Sequence, residues 1–347
     1  MPQWRPLSTI DQFTAHLRTG LLSGQWADTM PGVHRLAAEF GLNRKVVEAA
    51  LQRLEREGLL EGQGPGRRRK IVVPEDHAPP ALRVVLLNLD PPAWSTLYMT
   101  ELEHHLKMAG HVSLFAEKTL KDLGMDPRRV ARFVRKIGAD AWIVSAASRE
   151  VLQWFAEYEK PAFALFGRRS QLSIAAVGPD HVMAGRLLIR RLVTLGHHRI
   201  VMVTRKARRL PEPGQSERAQ LEEMQAHGIS TGSYNLPDWE ETPEGFQRLL
   251  DELFRVTPPT ALIIDEPFLF HAARNHLARR GILAPDQVSL ICTDPDPSFD
   301  WCLPTIAHLH WDHRPIVRRI VRWVNKVANG EDDRRQTLTK VELFEGG

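Results

Sequence analysis

The chain has 347 residues, with 46 Lys and Arg against 42 Asp and Glu, so its formal net charge is only +4. This length exceeds one small domain, and the hydrophobic fraction of 43% is enough for several buried cores. No apolar run approaches the ~20 residues that a membrane-spanning helix needs, and the N-terminus has no signal pattern. We therefore expect a cytoplasmic protein that has no membrane partner.

The first predicted elements form a helix-turn-helix between residues 30 and 60. Leu36 and Phe40 recur at helical spacing, and Gly41 is expected to end that helix. Asn43 can cap a second helix. The apolar positions of this second helix are Val46, Val47, Ala50, Leu51 and Leu54.

The second helix opens with polar and cationic side chains. A helix that enters the DNA major groove presents its N-terminal side chains to base edges, and its dipole favours nearby phosphate. We therefore expect Asn43, Arg44 and Lys45 to contact DNA. His34 and Arg35 of the first helix are further candidates, although both could equally be ordinary exposed residues.

A Gly-rich turn at 62–66 follows the second helix, and after it come four cations and a short β-branched segment at 71–73. This order predicts the hairpin wing of a winged helix-turn-helix. The four cations are expected to neutralise phosphates or to insert into the minor groove. They are Arg67, Arg68, Arg69 and Lys70.

The order of these elements over about residues 7–73 resembles the N-terminal domain of the GntR family of bacterial regulators. The matching positions are Met30-Pro31, Leu36-Ala37, Glu39-Phe40-Gly41, Arg44, Ala50-Leu51, Leu54, Glu57-Gly58-Leu59 and the wing glycines. Two positions depart from the family. Gly32 stands where the family usually has a capping Ser, and Glu48 stands where it usually has an Arg that contacts DNA. We therefore do not assume that this protein recognises the family's usual operator sequence.

A polar, Pro-rich segment at 74–82 predicts a linker between a DNA-binding domain at 1–73 and a second domain at 83–347. Predicted strands then alternate with helices, which indicates an α/β fold with parallel, doubly wound sheets in two lobes. The predicted strands are 83–89, 112–116, 141–144, 162–166, 200–203, 261–264 and 288–291. The first predicted helices are about 95–109, 127–137 and 149–158.

Several stretches of the second domain resemble the effector domain of the LacI/GalR regulators, which is related to periplasmic sugar-binding proteins. They are residues 177–186, 192–201, 259–266, 280–294 and 304–310. The resemblance covers about 83–343 and implies a first lobe of about 83–178 and 310–332. The second lobe would comprise about 179–305 and 333–347. A GntR-type domain joined to this effector type resembles the arabinose-repressor branch of the GntR family.

Candidate effector-binding residues follow predicted strands, because open α/β sheets bind ligands at the carboxyl ends of their strands. Asp265 and Asp294 follow two strands of the second lobe, and Trp94 follows the first strand. The resemblance implies polar ligand contacts at the two carboxylates and in the loop of Trp239. The alternatives are helix caps for the aspartates and core positions for the tryptophans.

The Arg that binds the ligand in the LacI/GalR family has no clear counterpart here. Arg218 is one candidate, and Arg168 and Arg169, which end another predicted strand, are others. His181 replaces the family's usual Asn after Asp180. These departures leave the identity of the ligand open.

Together these patterns predict a ligand-responsive bacterial transcription regulator. We expect a homodimeric repressor that binds operator DNA and is controlled by a small molecule, a sugar or sugar derivative, between two lobes. The alternative is a DNA-binding module whose effector domain no longer senses a ligand. The sequence shows no nucleophile–base order, phosphate loop or metal-ligand spacing, so we expect no enzymatic activity, cofactor or metal.

Overall fold

The computed structural model describes residues 8–22, 26, 28–64, 67–72, 80–91 and 97–346. These residues form a small helical domain with a two-stranded hairpin, and a larger α/β domain that contains two sheets. Most of the predicted linker, including residues 74–79, lies outside the described residues, as does Trp94.

The described residues of the N-terminal domain form three helices and one hairpin. They are α1 (Thr9–Leu22), α2 (Val33–Phe40), α3 (Arg44–Arg56), β1 (Leu60–Glu61) and β2 (Lys70–Ile71). The two strands pair antiparallel and form the predicted wing. One apolar core joins the three helices, and its fully buried members include Leu17, Leu21, Leu36, Val47, Leu51 and Leu54. The predicted helix-turn-helix is confirmed.

The ends of α2 and α3 follow from single residues. Gly41 adopts φ +63°, a left-handed conformation that a glycine takes without steric cost, and it ends α2. The Asn43 Oδ1 accepts a hydrogen bond of 2.9 Å from the backbone N–H of Lys45 and so caps α3. Gly32 precedes α2 without a side-chain cap. These local predictions are also confirmed.

The first lobe of the α/β domain contains one parallel sheet. Its strands are β3 (Arg83–Leu87), β4 (Val112–Phe115), β5 (Ala141–Ser145), β6 (Ala162–Leu165), β7 (Ala175–Pro179) and β12 (Gln336–Thr339). Their order in the sheet is β12-β7-β6-β5-β3-β4. Its helices are α4 (Leu97–Met108), α5 (Pro127–Val134), α6 (Arg149–Glu157) and α12 (Arg314–Ala328).

The second lobe contains a five-stranded sheet. Its strands are β8 (Ile200–Val203), β9 (Ala261–Ile264), β10 (Ser289–Cys292), β11 (Ala307–His310) and β13 (Glu342–Phe344), in the order β13-β11-β10-β9-β8. All neighbours are parallel except β13, which runs antiparallel to β11. Its helices are α7 (His181–Thr194), α8 (Lys206–Arg209), α9 (Gln215–Ala226), α10 (Pro243–Val256) and α11 (Pro267–Arg279).

Helices cover both faces of each sheet, which explains the continuous apolar strands. In β5, Trp142 packs into the core on the side of α5 and α6, whereas its neighbour Ile143 packs into the core on the side of α4 and α12. Successive side chains of a strand point to opposite faces, so a strand buried on both faces needs apolar residues throughout. The predicted doubly wound architecture is confirmed.

The structure differs from the expected lobe boundaries at the C-terminal end. We expected residues 333–347 in the second lobe, but β12 pairs with β7 of the first lobe, with Gln336 opposite Ala176. Only β13 returns to the second lobe. The strand β12 has no apolar run, because it lies at the edge of its sheet and exposes Gln336 and Leu338. Its place therefore depends on backbone pairing with a segment some 160 residues earlier.

Within the described segments, no helix combines the length and the apolar character required to cross a bilayer.

Candidate functional site

The N-terminal turn of α3 presents an exposed polar surface. Asn43, Arg44 and Lys45 are all exposed there, and His34 and Arg35 are exposed on α2. Because the apolar side chains of both helices point into the core, these residues lie on the outer side of the helix-turn-helix. The arrangement suits contact with the edges of bases and with phosphates.

The four wing cations do not have equivalent environments. Arg67, Arg68 and Lys70 are exposed, whereas the Arg69 side chain is only 19% exposed. The Arg69 Nη2 lies 2.7 Å from the Glu48 Oε1, and its Nε lies 2.9 Å from the Glu55 Oε1. Arg69 therefore links the wing to α3 through two ion pairs, and its charge is not available to DNA. This ion pair also gives Glu48 a structural role.

The carboxyl ends of the two sheets face one cleft between the lobes. Asp90 follows β3 of the first lobe, and Arg205 follows β8 of the second lobe. The Arg205 Nη2 lies 3.4 Å from both carboxylate oxygens of Asp90, so this ion pair spans the cleft. Asp265 and Asp294 follow β9 and β10 and share the second lobe's edge with Arg205. The side-by-side placement that we expected for these two carboxylates is therefore present.

Several buried polar atoms at these strand ends have no hydrogen-bond partner in the part of the chain that the structure describes. Asn88, Thr204 and Asp265 each come directly after a strand, and His181 begins α7 just after β7. The unpartnered atoms are Asn88 Oδ1, Thr204 Oγ1, Asp265 Oδ1 and His181 Nδ1. Buried polar atoms without partners are costly, so their gathering at one cleft indicates a binding site.

Asp265 is 1% exposed, and its Oδ2 accepts a hydrogen bond of 2.7 Å from the Arg205 N–H. Burial raises the pKa of Asp265 to about 6, although Arg208 and Arg205 oppose the shift. Burial, together with the charges of Asp265 and Asp294, raises the pKa of the neighbouring Glu266 to about 8. Burial thus favours the protonated form of Glu266, which can donate a hydrogen bond, although its Oε1 also lies 3.7 Å from the Arg205 Nη1.

Asp294 is held from two sides. Its Oδ1 accepts a hydrogen bond of 3.0 Å from the Trp311 Nε1 and lies 3.8 Å from the His181 Nε2. Burial raises the pKa of Asp294. Burial and the charges of Arg208 and Arg169 lower the pKa of His181 to about 3, so this imidazole is neutral at physiological pH.

A cluster of three aromatic rings, one of which bonds to Asp294, was missed by the sequence analysis. Trp311, Tyr98 and Phe166 form a cluster with ring centroids 5.8–6.2 Å apart. They come from distant parts of the chain: Tyr98 lies in a predicted helix, Phe166 ends a predicted strand, and Trp311 follows residues 304–310, so no local motif connects them. Aromatic faces beside carboxylates suit the apolar and hydroxyl faces of a sugar ring.

The predicted tryptophan Trp239 does not line the cleft. It is 9% exposed, packs against Phe246 with a centroid distance of 5.3 Å, and belongs to the core of the second lobe. Its Nε1 donates a hydrogen bond of 2.9 Å to the carbonyl of Thr204. The indole N–H therefore has its hydrogen-bond partner within the second lobe. Of the two interpretations of Trp239, the core position is the correct one.

Two of the three candidate ligand arginines, Arg168 and Arg218, have other roles or positions. Arg168 donates hydrogen bonds from the first lobe to backbone carbonyls of the second lobe, at 3.0–3.1 Å to Ala207, Arg208 and Leu210. It therefore bridges the lobes. Arg218 is exposed on α9, and its guanidinium donates no hydrogen bond to the residues that the structure describes.

Two cations of the cleft were missed. Arg205 comes two residues after the end of β8, just as Asp294 comes two residues after the end of β10. The position that indicated Asp294 as a candidate could therefore have indicated Arg205 as well. Arg208 lies 2.7 Å from the buried carboxylate of Glu217. Burial disfavours the charge of Arg208, but Glu217, Asp265 and Asp294 together raise its pKa.

Family models match both domains. Residues 9–66 match the model of bacterial regulatory proteins of the gntR family, and residues 189–347 match the model of the periplasmic binding protein-like domain. The chain joins a gntR-family DNA-binding domain to a periplasmic binding protein-like domain. No curated protein matches this sequence.

Solved structures of LacI-type regulators are similar to the α/β domain. A LacI family transcriptional regulator from Enterococcus faecium with bound ribose is 17% identical, with 76% of this chain and 97% of that chain covered and a TM-score of 0.61. The lac repressor dimer bound to operator and the anti-inducer ONPF is 14% identical, with 79% and 98% covered and a TM-score of 0.61. A complex of the transcriptional regulator CelR with cellobiose is 16% identical, with 91% and 99% covered and a TM-score of 0.62. At these identities the similarity shows a shared fold.

No group of three or more His, Cys, Asp or Glu side chains among the described residues is placed to hold a metal ion.

Proposed function

We propose that this gntR-type, periplasmic-binding-like chain is a transcription regulator controlled by a small molecule, a sugar or sugar derivative. The observation that carries the proposal is the group of buried, unpartnered polar atoms at the interlobe cleft of a chain that also has a winged helix. The DNA contacts would come from Asn43, Arg44, Lys45 and the free wing cations. The effector contacts would come from Asp265 and Asp294, with Trp311 as an aromatic wall.

The proposed regulator works as a homodimeric repressor in the cytoplasm, with one winged helix on each half of an operator. Closure of the lobes around the effector would change the placement of the two winged helices and thus the DNA affinity. Such coupling typically amounts to ~1–3 kcal/mol. The lac repressor dimer bound to operator and the sugar complexes of similar fold support this proposal, as does the gntR-family match. The protein would act by binding and not by catalysis.

The test begins with selection of preferred sequences from random DNA by the full-length protein. Operator affinity is then measured with and without members of a sugar panel. We expect one compound to change the operator affinity by about 5–150-fold. Binding to all DNA sequences with equal affinity would contradict the proposed function.

One observation favours the alternative of an effector domain that no longer senses a ligand. The protein's own side chains already span the cleft, since Arg205 pairs with Asp90 and Arg168 bonds to carbonyls of the opposite lobe. Sequence-specific DNA binding that no compound alters or thermally stabilises would select this alternative.

A further inference from the structure

Arg169 occupies a space that a glycine leaves open. It follows β6 of the first lobe, and its guanidinium lies against the backbone of Gly178 in β7. A Cβ atom added at Gly178 would lie 2.9 Å from Nη2 and 3.1 Å from Nη1 of Arg169. Any side chain at position 178 would therefore displace the guanidinium, so this pair of residues fixes where the positive charge sits.

The charge of Arg169 has no counter-ion in the part of the chain that the structure describes. Its guanidinium donates no hydrogen bond to the described residues and forms no ion pair with them, whereas the nearby Arg205 and Arg208 are each paired with carboxylates. Burial lowers the pKa of Arg169, and no carboxylate raises it. An anion would stabilise a partly desolvated guanidinium of this kind, because charge-assisted hydrogen bonds are stronger than neutral ones.

Arg169 belongs to the same cluster as the proposed effector contacts. Its charge, like that of Arg208, reaches His181 strongly enough to lower the pKa of that imidazole. His181 in turn lies 3.8 Å from Asp294 and has a buried, unpartnered Nδ1. Arg208 is neutralised by Glu217 at 2.7 Å, whereas Arg169 has no carboxylate within ion-pair distance among the described residues.

We propose that Arg169, seated on Gly178, binds an anionic group of the effector while Asp265 and Asp294 bind its hydroxyl groups. The effector would then be an acidic sugar derivative that carries a carboxylate or a phosphate, and not a neutral sugar. A guanidinium is suited to either group, because its planar N–H donors match two oxygens at once. This inference rests on the proposed function and specifies its ligand.

The experiment uses calorimetry and thermal shift with the full-length protein at constant ionic strength. The carboxylate arm contains D-glucuronate and D-galacturonate, the phosphate arm contains D-glucose 6-phosphate, and D-glucose and D-galactose are the neutral controls. We expect one anionic arm to bind, which identifies the group. Because a hydrogen bond to a charged group is lost, Arg169→Gln should weaken that binding by about tenfold or more. Arg132→Gln, which removes an exposed cation of the same lobe, should leave it unchanged.

Gly178→Ala provides a second variant, since it displaces the guanidinium but keeps the charge, and it should weaken the same ligand. Melting temperatures and operator binding show whether each variant is folded. Tighter binding of a neutral sugar, or anion binding that Arg169→Gln leaves unchanged, would overturn the inference and leave the proposed function standing. Failure of every anionic compound to bind would also overturn it. Failure of the proposed function would instead be seen in the DNA titrations, as a lack of sequence preference.

Discussion

Arg69 of the wing and Glu48 of α3 form an ion pair across the DNA-binding domain, with Nη2 and Oε1 2.7 Å apart. Glu55, two turns further along the same helix, accepts a second bond from the Arg69 Nε at 2.9 Å. The pairing explains how a carboxylate can stand near the start of a DNA-binding helix, because Arg69 neutralises it. Among the wing cations, Arg69 therefore has a structural role, whereas Arg67, Arg68 and Lys70 are exposed and can contact DNA.

The first prediction concerns the salt dependence of DNA binding. The double variant Arg67→Ala, Arg68→Ala should flatten the log–log salt slope by up to about 2 units, since each phosphate contact contributes about 0.9. Arg69→Ala should leave the slope nearly unchanged and lower the melting temperature instead, because it unfastens the wing. Titrations of operator and random DNA at several salt concentrations measure both slopes. Equal flattening by Arg69→Ala would show that its charge faces DNA.

The second prediction concerns base recognition by α3. Arg44 is exposed at the first turn of the helix, so Arg44→Ala should weaken operator binding by roughly 1–3 kcal/mol and relax the preference at one base pair. Competition among operators with single-base changes provides the measurement. Arg56→Ala, at the last turn of the same helix, is the matched control. If both variants bind as the parent does, Arg44 does not contact a base.

The third prediction concerns the cleft. Asp294→Ala removes an acceptor held by Trp311 and should weaken effector binding by about 1.5–3 kcal/mol, as for a hydrogen bond to a charged group. Operator affinity without effector should stay nearly the same, because Asp294 lies in the other domain. Calorimetry with the effector and operator titration measure the two effects. Asp300→Ala, at an exposed carboxylate nearby, should change neither, and parental effector affinity in Asp294→Ala would place the site elsewhere.

The fourth prediction concerns stability against pH. Burial raises the pKa of Glu266 from its ordinary value of 4.5 to about 8, so between pH 4.5 and about pH 8 the folded protein holds a proton that the unfolded chain lacks. Stability should therefore fall as pH rises through this window. His181 is neutral in the folded protein because its pKa is about 3, but the unfolded chain protonates it below its ordinary pKa of 6.5, so its contribution has the opposite sign and is confined to lower pH.

Glu266→Gln should remove most of this fall. The expected difference at pH 8.5 is about 1 kcal/mol, or ~2–4 °C in melting temperature, and not more, because a third of the Glu266 side chain remains exposed to solvent. Denaturant unfolding at several pH values measures it. A parent and a variant with parallel pH profiles would exclude Glu266 as the group responsible.

The fifth prediction concerns the bridge between the lobes. Arg168→Ala removes the side chain that bonds to Ala207, Arg208 and Leu210, and it should shift the lobes toward an open arrangement by about 1–3 kcal/mol. Small-angle scattering without effector should then show a larger radius of gyration. Arg149→Ala, whose side chain bonds within the first lobe to Ser170, should not enlarge the particle. An unchanged radius in Arg168→Ala would mean that other contacts hold the lobes together.

The sequence by itself determined the features that depend on neighbouring residues. Gly41 and Asn43 predicted the turn and cap of the helix-turn-helix, because left-handed backbone and capping bonds are local. Alternating apolar strands and helices predicted parallel sheets. Parallel strands end at one edge of their sheet, so the sequence alone predicted that Asp265 and Asp294 lie at the same edge.

Only the tertiary structure decided which residues meet across long separations. Arg69 was predicted to contact phosphate, but Glu48 and Glu55 neutralise it, and Trp239 was predicted near a ligand but fills a core. Arg168 reaches backbone carbonyls about 40 residues later, which no side-chain pattern encodes. A charged or aromatic residue type does not reveal its partner, because the partner is set by how the two lobes and the wing pack.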